Sequence, residues 1–363
     1  ALGGPAPRDS YLRGEAIVAA ALATGADAVH PGYGFLAESA EFAAATIAAG
    51  LTWVGPDPEA IATMGSKTAA RELMDGAGVP VLPGRRLDRG DPTRAAAEIG
   101  YPLLVKAAAG GGGKGMRLVT DPADLSREIE AARREAASAF GDDTVFLERF
   151  APGARHVEIQ ILGGHGGAVV SLHERDCSIQ RRHQKVIEEA PSPAVDADLR
   201  ERMSAAAVTA GEALGYVGAG TVEFLLTAAG EFFFLEVNTR LQVEHPVTEA
   251  VTGIDLVEQQ LAIAEGRPVP RSPRLDGHAI EARLYAEDVA AGYLPALGTL
   301  SRFAVAAGVR VDTGVADGSE VGPHYDPMIA KVIAHGPSRE AAARRLADAL
   351  ARAELHGLTT NRE

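Results

Sequence analysis

Residues 236–249 read EVNTRLQVEHPVTE, and from Glu236 every second side chain is charged or an amide. Successive side chains of an extended chain point to opposite sides, so Glu236, Asn238, Arg240, Gln242 and Glu244 would all face one way. Such a face offers a carboxylate and an amide oxygen to a cation, a guanidinium to an oxyanion, and a further carboxylate as a base. Phe232 and Phe234 precede them in the same phase and would share that face. The competing reading is a solvated salt-bridge ladder on an edge strand.

Residues 220–226 (GTVEFLL) and 231–238 (EFFFLEVN) are strand-like, rich in β-branched, aromatic and aliphatic residues. A tight turn with Ala229-Gly230 at its tip pairs Leu226 with Phe233, Phe224 with Leu235 and Glu223 with Glu236. Opposed Cβ atoms lie about 4.5–5.5 Å apart, where like charges repel. A divalent cation such as Mg²⁺ or Mn²⁺ would relieve that repulsion. A shared proton or another register are the alternatives, and a connection of odd length would break the pairing.

Other residues suit phosphate. Residues 101–106 (YPLLVK) read as a buried strand leading into Gly110–Gly113, Lys114, Gly115, Met116 and Arg117. Glycines let backbone N–H groups approach phosphate oxygens, and Lys106, Lys114 and Arg117 add positive charge. The loop is neither a dinucleotide fingerprint, since residues 118–120 read as a strand, nor a Walker A loop, since Gly follows Lys114. It reads as a hairpin closing over phosphates, with a flexible surface turn as the alternative. Residues 180–185 (QRRHQK) form a basic cluster in a chain of net charge −14. They read as an anion site or, as charge runs usually are, a solvated patch. His156 alternates with Glu158 and Gln160, away from Val157, Ile159 and Ile161. It lacks HExxH spacing. The lone Cys177 reads as a small apolar thiol.

The elements around these residues read as α/β and then α+β. Helix 15–23, strand 26–30, helix 38–49 and strand 51–54 have the rhythm of a parallel sheet. The turn 30–35 (HPGYGF) follows a strand, where ligands gather in such sheets, but taken by itself it reads first as an ordinary Pro/Gly turn. Residues 55–58 mark a boundary and a helical linker carrying Lys67 follows. Asp121-Pro122 would cap the next helix. Residues 341–352 read as an amphipathic surface helix. The acidic charge argues against nucleic acid and against anionic membrane surfaces. No apolar run is long enough to span a bilayer. No signal peptide is visible, and a cytoplasmic location is expected.

HPGYGFL at 30–36, KAAAGGGGKGMR at 106–117, HVEIQ at 156–160, RDCSIQRRHQKVIEEAP at 175–191 and EVNTRLQVEHPVTE at 236–249 resemble biotin carboxylase. This is the ATP-grasp component of biotin-dependent carboxylases, and the resemblance runs from about Tyr11 to Asn361. It implies an ATP-grasp fold with a Rossmann-like N-terminal unit at 1–54, a helical linker at 55–77, a glycine-loop lid at 78–150 and an α+β body at 151–363. It implies that ATP phosphorylates bicarbonate to carboxyphosphate, whose CO₂ is captured by N1 of biotin. By resemblance, Lys67, Lys106, Gly112, Gly113, Glu148, Arg149, Phe150, Ala151, His156, Gln180 and His183 bind ATP. Glu223, Glu236 and Asn238 bind Mg²⁺ or Mn²⁺, with two ions expected. Lys185, Arg240, Gln242 and the Val243 backbone hold bicarbonate, with Glu244 as its base. Arg283 stabilises the biotin enolate and Tyr33 lies near biotin.

The family pattern has a further strand–helix unit before Tyr11, a tail after Asn361 and a larger apolar residue at Ala151. No Met-Lys-Met motif is present, so the biotin carrier is expected on another chain or segment. A carboxyltransferase subunit and a homo-oligomer are the other expected partners. Residues 325–331 (YDPMIAK) resemble the acyl-CoA carboxylase branch. The alternatives are another ATP-grasp ligase joining a carboxylate to an amine, and a non-catalytic fragment that binds a partner subunit.

Overall fold

The computed structural model describes residues 2–87, 91–107, 116–182 and 184–362. The chain opens with α1 (Gly14–Thr24), β1 (Ala28–Val29), α2 (Ala40–Ala48) and β2 (Thr52–Trp53). β1 and β2 pair in parallel, as the rhythm of this segment predicts. The Ser39 hydroxyl accepts from the Phe42 N–H and so caps α2. Phe42 and Trp53 meet edge to face over Ala43 and Ile61. α3 (Pro58–Gly65) and α4 (Lys67–Gly76) follow, capped by Asp57 and Ser66, which places Lys67 in the first turn of α4.

The next elements are β3 (Gly84–Leu87), α5 (Pro92–Ile99), β4 (Leu103–Ala107), β5 (Arg117–Val119), α6 (Leu125–Phe140) and β6 (Val145–Arg149). The strands form an antiparallel sheet in the order β3-β6-β4-β5. Alternate residues Leu103, Val105, Val145 and Leu147 bury against Ala95, Ala96, Leu125 and Ile129 of the two helices. Asp121 caps a single 3₁₀ turn at Pro122–Asp124, and α6 starts only after it.

The largest layer is an eight-stranded antiparallel sheet. Its strands include β7 (Arg155–Gly163), β8 (Val169–Arg181), β9 (Gln184–Ala190), β10 (Gly218–Leu226), β11 (Phe232–Asn238) and β12 (His278–Tyr285). The order is β11-β10-β7-β8-β9-β12, then Met328–Gly336 and Arg310–Thr313. Leu199, Met203, Ala207 and Ala210 of α7 (Ala197–Ala213) pack on Val157, Ile159, Ile161, Val222 and Phe224. α8 (His245–Thr252) and α9 (Leu256–Ala264) follow β11, and α10 (Arg339–Ala351) covers Ile280, Ala282 and Leu284 of β12.

The β10–β11 hairpin differs in detail from its expected form. Leu226 pairs with Phe232, not Phe233, so the connection has an odd number of residues, 227–231. Phe224 pairs with Phe234, yet Glu223 still pairs with Glu236, because a β-bulge at Leu235 inserts one residue. The bulge also changes the phase of β11. Phe232 and Phe234 lie in the core with Val237, so they do not share a face with Glu236. Apolar burial fixes the two aromatics inward, and the extra residue lets Glu236 turn the other way. β11 ends at Asn238, and the chain bends before α8, which has Pro246 in its first turn. Arg240, Gln242 and Glu244 are therefore not on a strand.

Candidate active site

Lys185 of β9 sits among three buried carboxylates from three different elements. Its Nζ donates to Glu158 Oε2 of β7 at 2.6 Å, Glu223 Oε1 of β10 at 2.8 Å and Glu244 Oε1 before α8 at 2.7 Å. Burial opposes a charge on Lys185, but the carboxylates outweigh it and hold the ammonium pKa well above its usual value. Burial likewise opposes ionisation of Glu223, yet Lys185 and His156 hold that carboxyl well below the usual range. Against the same opposition, Lys185, Arg283 and Arg175 depress Glu244.

Around this node the side chains expected on one strand face converge from a bent chain. Asn238 Nδ2 and Gln242 Nε2 donate to Glu223 Oε1 at 2.8 and 2.9 Å. Arg240 donates to Asn238 Oδ1 at 3.0 Å and, through Nε, to Glu38 Oε2 at 2.7 Å. Arg283 of β12 donates to Glu244 Oε2 at 3.0 Å and to Glu188 Oε1 at 2.6 Å. His156 Nε2 lies 2.7 Å from Glu223 Oε2, and Gln180 Nε2 lies 3.1 Å from His156 Nδ1. Lys331 donates to the Val243 carbonyl at 2.7 Å and lies 5.7 Å from the ring centre of Tyr33, which is partly exposed.

Sequence reasoning assigned no role to the residue beneath this network. Arg175 of β8 is fully buried and donates to Glu158 and Gln160 at 2.6 Å, to Thr248 and Thr221 at 3.0 Å and to Gln242 at 3.3 Å. It fastens β7, β10 and α8 together. The available signals were the polar alternation of His156, Glu158 and Gln160 and the segment 175–191, which opens on Arg175, but neither pointed to this contact. Glu38 and Glu188 were missed for the same reason. Cys177 is buried 4.0 Å from Glu244, and burial pushes its thiol well up, in keeping with an unreactive packing residue.

The acidic residues fit a hard divalent cation at one place. Burial and then the charge of Glu223 raise the Glu236 carboxyl against the opposing charges of His156, Lys185 and Lys67, so Glu236 is the member of the opposed pair that is short of positive charge. Asn238 adds an amide oxygen beside it. Side-chain atoms of His156, Glu158 and Glu223 also come within 4.8 Å of one another, as do those of Glu158, Cys177 and Glu244. In both groups the Lys185 ammonium already bridges the two carboxylates, Glu158 with Glu223 in the first and Glu158 with Glu244 in the second.

Two cavities meet over these residues. One of about 410 Å³ is lined by His156, Gln180, Lys185, Glu223, Asn238, Arg240, Gln242, Val243, Glu244 and Arg283. The other, of about 430 Å³, is lined by Met64, Ala70, Arg71, Ala107, Phe146, Glu148 and Phe234. Lys67, Lys106, Leu235 and Glu236 belong to both walls. Lys106 of β4 forms an ion pair with Glu148 of β6. Among the described residues, Arg149, Phe150 and Ala151 line neither cavity. Gly112, Gly113 and His183 lie outside the described residues.

A small antiparallel sheet carrying Lys106, facing a large sheet carrying paired carboxylates across such a cavity, is the ATP-grasp arrangement. The chain belongs to the biotin carboxylase family. Its residues 1–61 match the model described as biotin carboxylase, N-terminal domain, and residues 281–363 match the biotin carboxylase C-terminal domain. Residues 66–272 match the carbamoyl-phosphate synthase L chain, ATP binding domain. The mitochondrial methylcrotonoyl-CoA carboxylase subunit alpha of Oryza sativa subsp. japonica is 52% identical over 99% of this chain and 50% of that protein. Biotin carboxylase of Halalkalibacterium halodurans is 48% identical over 99% of this chain and 81% of its own length. The biotin carboxylase domain dimer of Hydrogenobacter thermophilus 2-oxoglutarate carboxylase, solved with MgADP, ADP and bicarbonate, superposes with a TM-score of 0.91. It is 44% identical over 99% of this chain and 81% of that one. The chain spans about half the length of the methylcrotonoyl-CoA carboxylase subunits it matches. Among the described residues no helix is long and apolar enough to cross a membrane.

Proposed function

We propose that the chain is the biotin carboxylase unit of an acyl-CoA carboxylase, using ATP and bicarbonate to carboxylate N1 of carrier-bound biotin. The observation that carries this reading is the Lys185 node. It ties Glu223, Glu244 and, through Glu244, Arg283 into one charged network beside the cavity bounded by Lys67 and Lys106. Transfer of a phosphoryl group depends mainly on positioning and charge neutralisation, and the walls of the two cavities supply both.

In this reading Lys67, Lys106, Glu148, His156 and Gln180 bind ATP, together with Arg149, Phe150, Ala151, Gly112, Gly113 and His183. Glu223, Glu236 and Asn238 hold Mg²⁺ or Mn²⁺, which when bound would neutralise phosphate oxygens. Lys185, Arg240, Gln242 and the Val243 backbone hold bicarbonate. A bicarbonate oxygen attacks the γ-phosphorus, ADP departs, and the carboxyphosphate formed breaks down to phosphate and CO₂; the released phosphate takes the proton from biotin N1, and the N1 of the resulting enolate form captures the CO₂. Glu244 accepts the bicarbonate proton. Its carboxyl is ionised while Lys185 and Arg283 hold it down, and it becomes more basic as those cations turn to bicarbonate and biotin. Arg283 then faces the biotin enolate oxygen, an electrostatic stabilisation of developing charge. Tyr33 stands beside the biotin ring.

The proposal keeps the unit boundaries 1–54, 55–77, 78–150 and 151–363. It also includes a biotin carrier domain or protein, a carboxyltransferase subunit and self-association. The Hydrogenobacter domain described as a dimer supports the last of these. A cytoplasmic location is retained, with the mitochondrial compartment named for the Oryza relative as the alternative. The deciding measurement is ADP release with and without bicarbonate and free biotin. The expected result is dependence on bicarbonate and stimulation by biotin. Release indifferent to both ligands would sink the reading.

A further inference from the structure

β9 and β12 pair so that Glu188 stands directly opposite Glu281. Both side chains are completely buried. Opposed like charges repel, and a buried polar atom without a partner is costly. Glu188 Oε1 accepts from Arg283 Nε at 2.6 Å. Its Oε2 and both oxygens of Glu281 have no hydrogen-bond partner among the described residues. The groups acting on the pair come from every side. They are Lys185 of β9, Arg283 and Tyr285 of β12, Lys331 of the next strand, Glu244 before α8, Cys177 of β8 and Tyr33. Burial and then the charge of Glu188 push Glu281 well above the usual carboxylate range. Burial also raises Glu188, to about 7, against the opposing charges of Arg283 and Lys185.

We propose that Glu188 is a positioning residue for Arg283, and that the opposed Glu281 carries the proton that keeps this buried pair from holding two charges. The proposal rests on the biotin carboxylase reading, in which Arg283 meets the biotin oxygen. Glu188 grips Nε from behind and balances the guanidinium charge. The Nη groups are then free to pass from Glu244 to the incoming oxygen while Glu244 takes up its own proton.

The test uses Glu188→Gln, Glu188→Asp and Glu281→Gln in the full chain, assayed by ADP release and by infrared spectroscopy of carboxyl stretches. Glu188→Gln is expected to lower kcat/KM for free biotin by about tenfold to a hundredfold with the KM for ATP unchanged, the size of effect that misplacing a reacting group gives. Glu188→Asp, which keeps the charge on a shorter arm, should recover part of the loss. The wild-type-minus-Glu281→Gln spectrum at neutral pH should contain a protonated-carboxyl band. Equal losses toward ATP and biotin in Glu188→Gln would make Glu188 merely structural and overturn the positioning role. A difference spectrum without that band, or a wild-type spectrum with none at all should the variant not fold, would overturn the proton assignment. Wild-type protein lacking bicarbonate- and biotin-dependent ADP release would instead refute the carboxylase reading, and the infrared result would still decide the proton.

Discussion

Glu236 and Glu244 lie eight residues apart and, in the proposed reading, do different work. Glu236→Gln removes half of the opposed carboxylate pair and should weaken metal-nucleotide binding, measured by titration with MgADP. Glu244→Gln keeps the shape of the Lys185 and Arg283 contacts but not the base. It should bind MgADP near normally and lose bicarbonate-dependent turnover. Equal loss of nucleotide binding in both would contradict the separation. Arg175 gives a stability prediction at the same scale. Its removal in Arg175→Met leaves Glu158, Gln160 and Thr221 without a shared donor in the sheet. Breaking a buried ion pair on one side costs about 3–5 kcal/mol. The denaturant midpoint should fall accordingly, with little change in the slope of the transition.

Single elements explain both what was legible in the sequence and what was not. Alternation and β-propensity located β10 and β11, which are local properties of one hairpin, but the register that set Glu223 opposite Glu236 assumed an even connection, and the opposition holds only because the bulge offsets the odd one. The bulge was not legible, since it follows from where Phe232 and Phe234 find a core built by α7 and β7. The opposition of Glu188 and Glu281 depends on β9 lying beside β12, strands separated by nearly a hundred residues, and no local pattern reports that. Leu235, the bulged residue, has no partner in the ladder but lines both cavities. Its deletion should leave Glu223 opposite Glu236 and preserve the fold by circular dichroism. The KM for ATP should rise about tenfold, the equivalent of one lost apolar contact of about 1.5 kcal/mol. α8 supplies a pH prediction. Burial, then Lys331, depresses His245 to about 3, while its Nδ1 donates to the Gln242 carbonyl at 2.7 Å. The folded state therefore keeps this imidazole neutral where the unfolded chain, titrating near 6.5, takes up a proton. The contribution is complete above about pH 6.5 and is lost as pH falls toward 3, by about 1.4 kcal/mol per unit. Between pH 6.5 and 5, wild type should lose stability relative to His245→Gln, measured by chemical denaturation, and parallel curves would refute the assignment.

Across the whole molecule, the N-terminal unit reaches the site through Glu38 and, beside Lys331, through Tyr33. Glu38 accepts from the Arg240 guanidinium and from the Thr239 N–H. Nearby, Tyr11 donates to the His324 carbonyl and stacks between Phe35 and Tyr325, which ties the same unit to the far end of the body. Glu38→Gln should raise the KM for bicarbonate severalfold, while the KM for ATP, whose cavity lies against α4 and the small sheet, should stay constant. A parallel rise in both would show that Glu38 holds the two units together without tuning the anion site.

The bulge in β11 has a further consequence for how such sequences diverge. Position 235 falls outside the two-residue count that binds its neighbours to the core or to the carboxylate face. Phe234 and Glu236 can change only in step with the strands beside them. Leu235 answers to the cavity alone. In a set of related chains, size and shape at this position should drift with the nucleotide-side wall and stay uncorrelated with the ladder, and a one-residue gap there should be the cheapest indel in the hairpin.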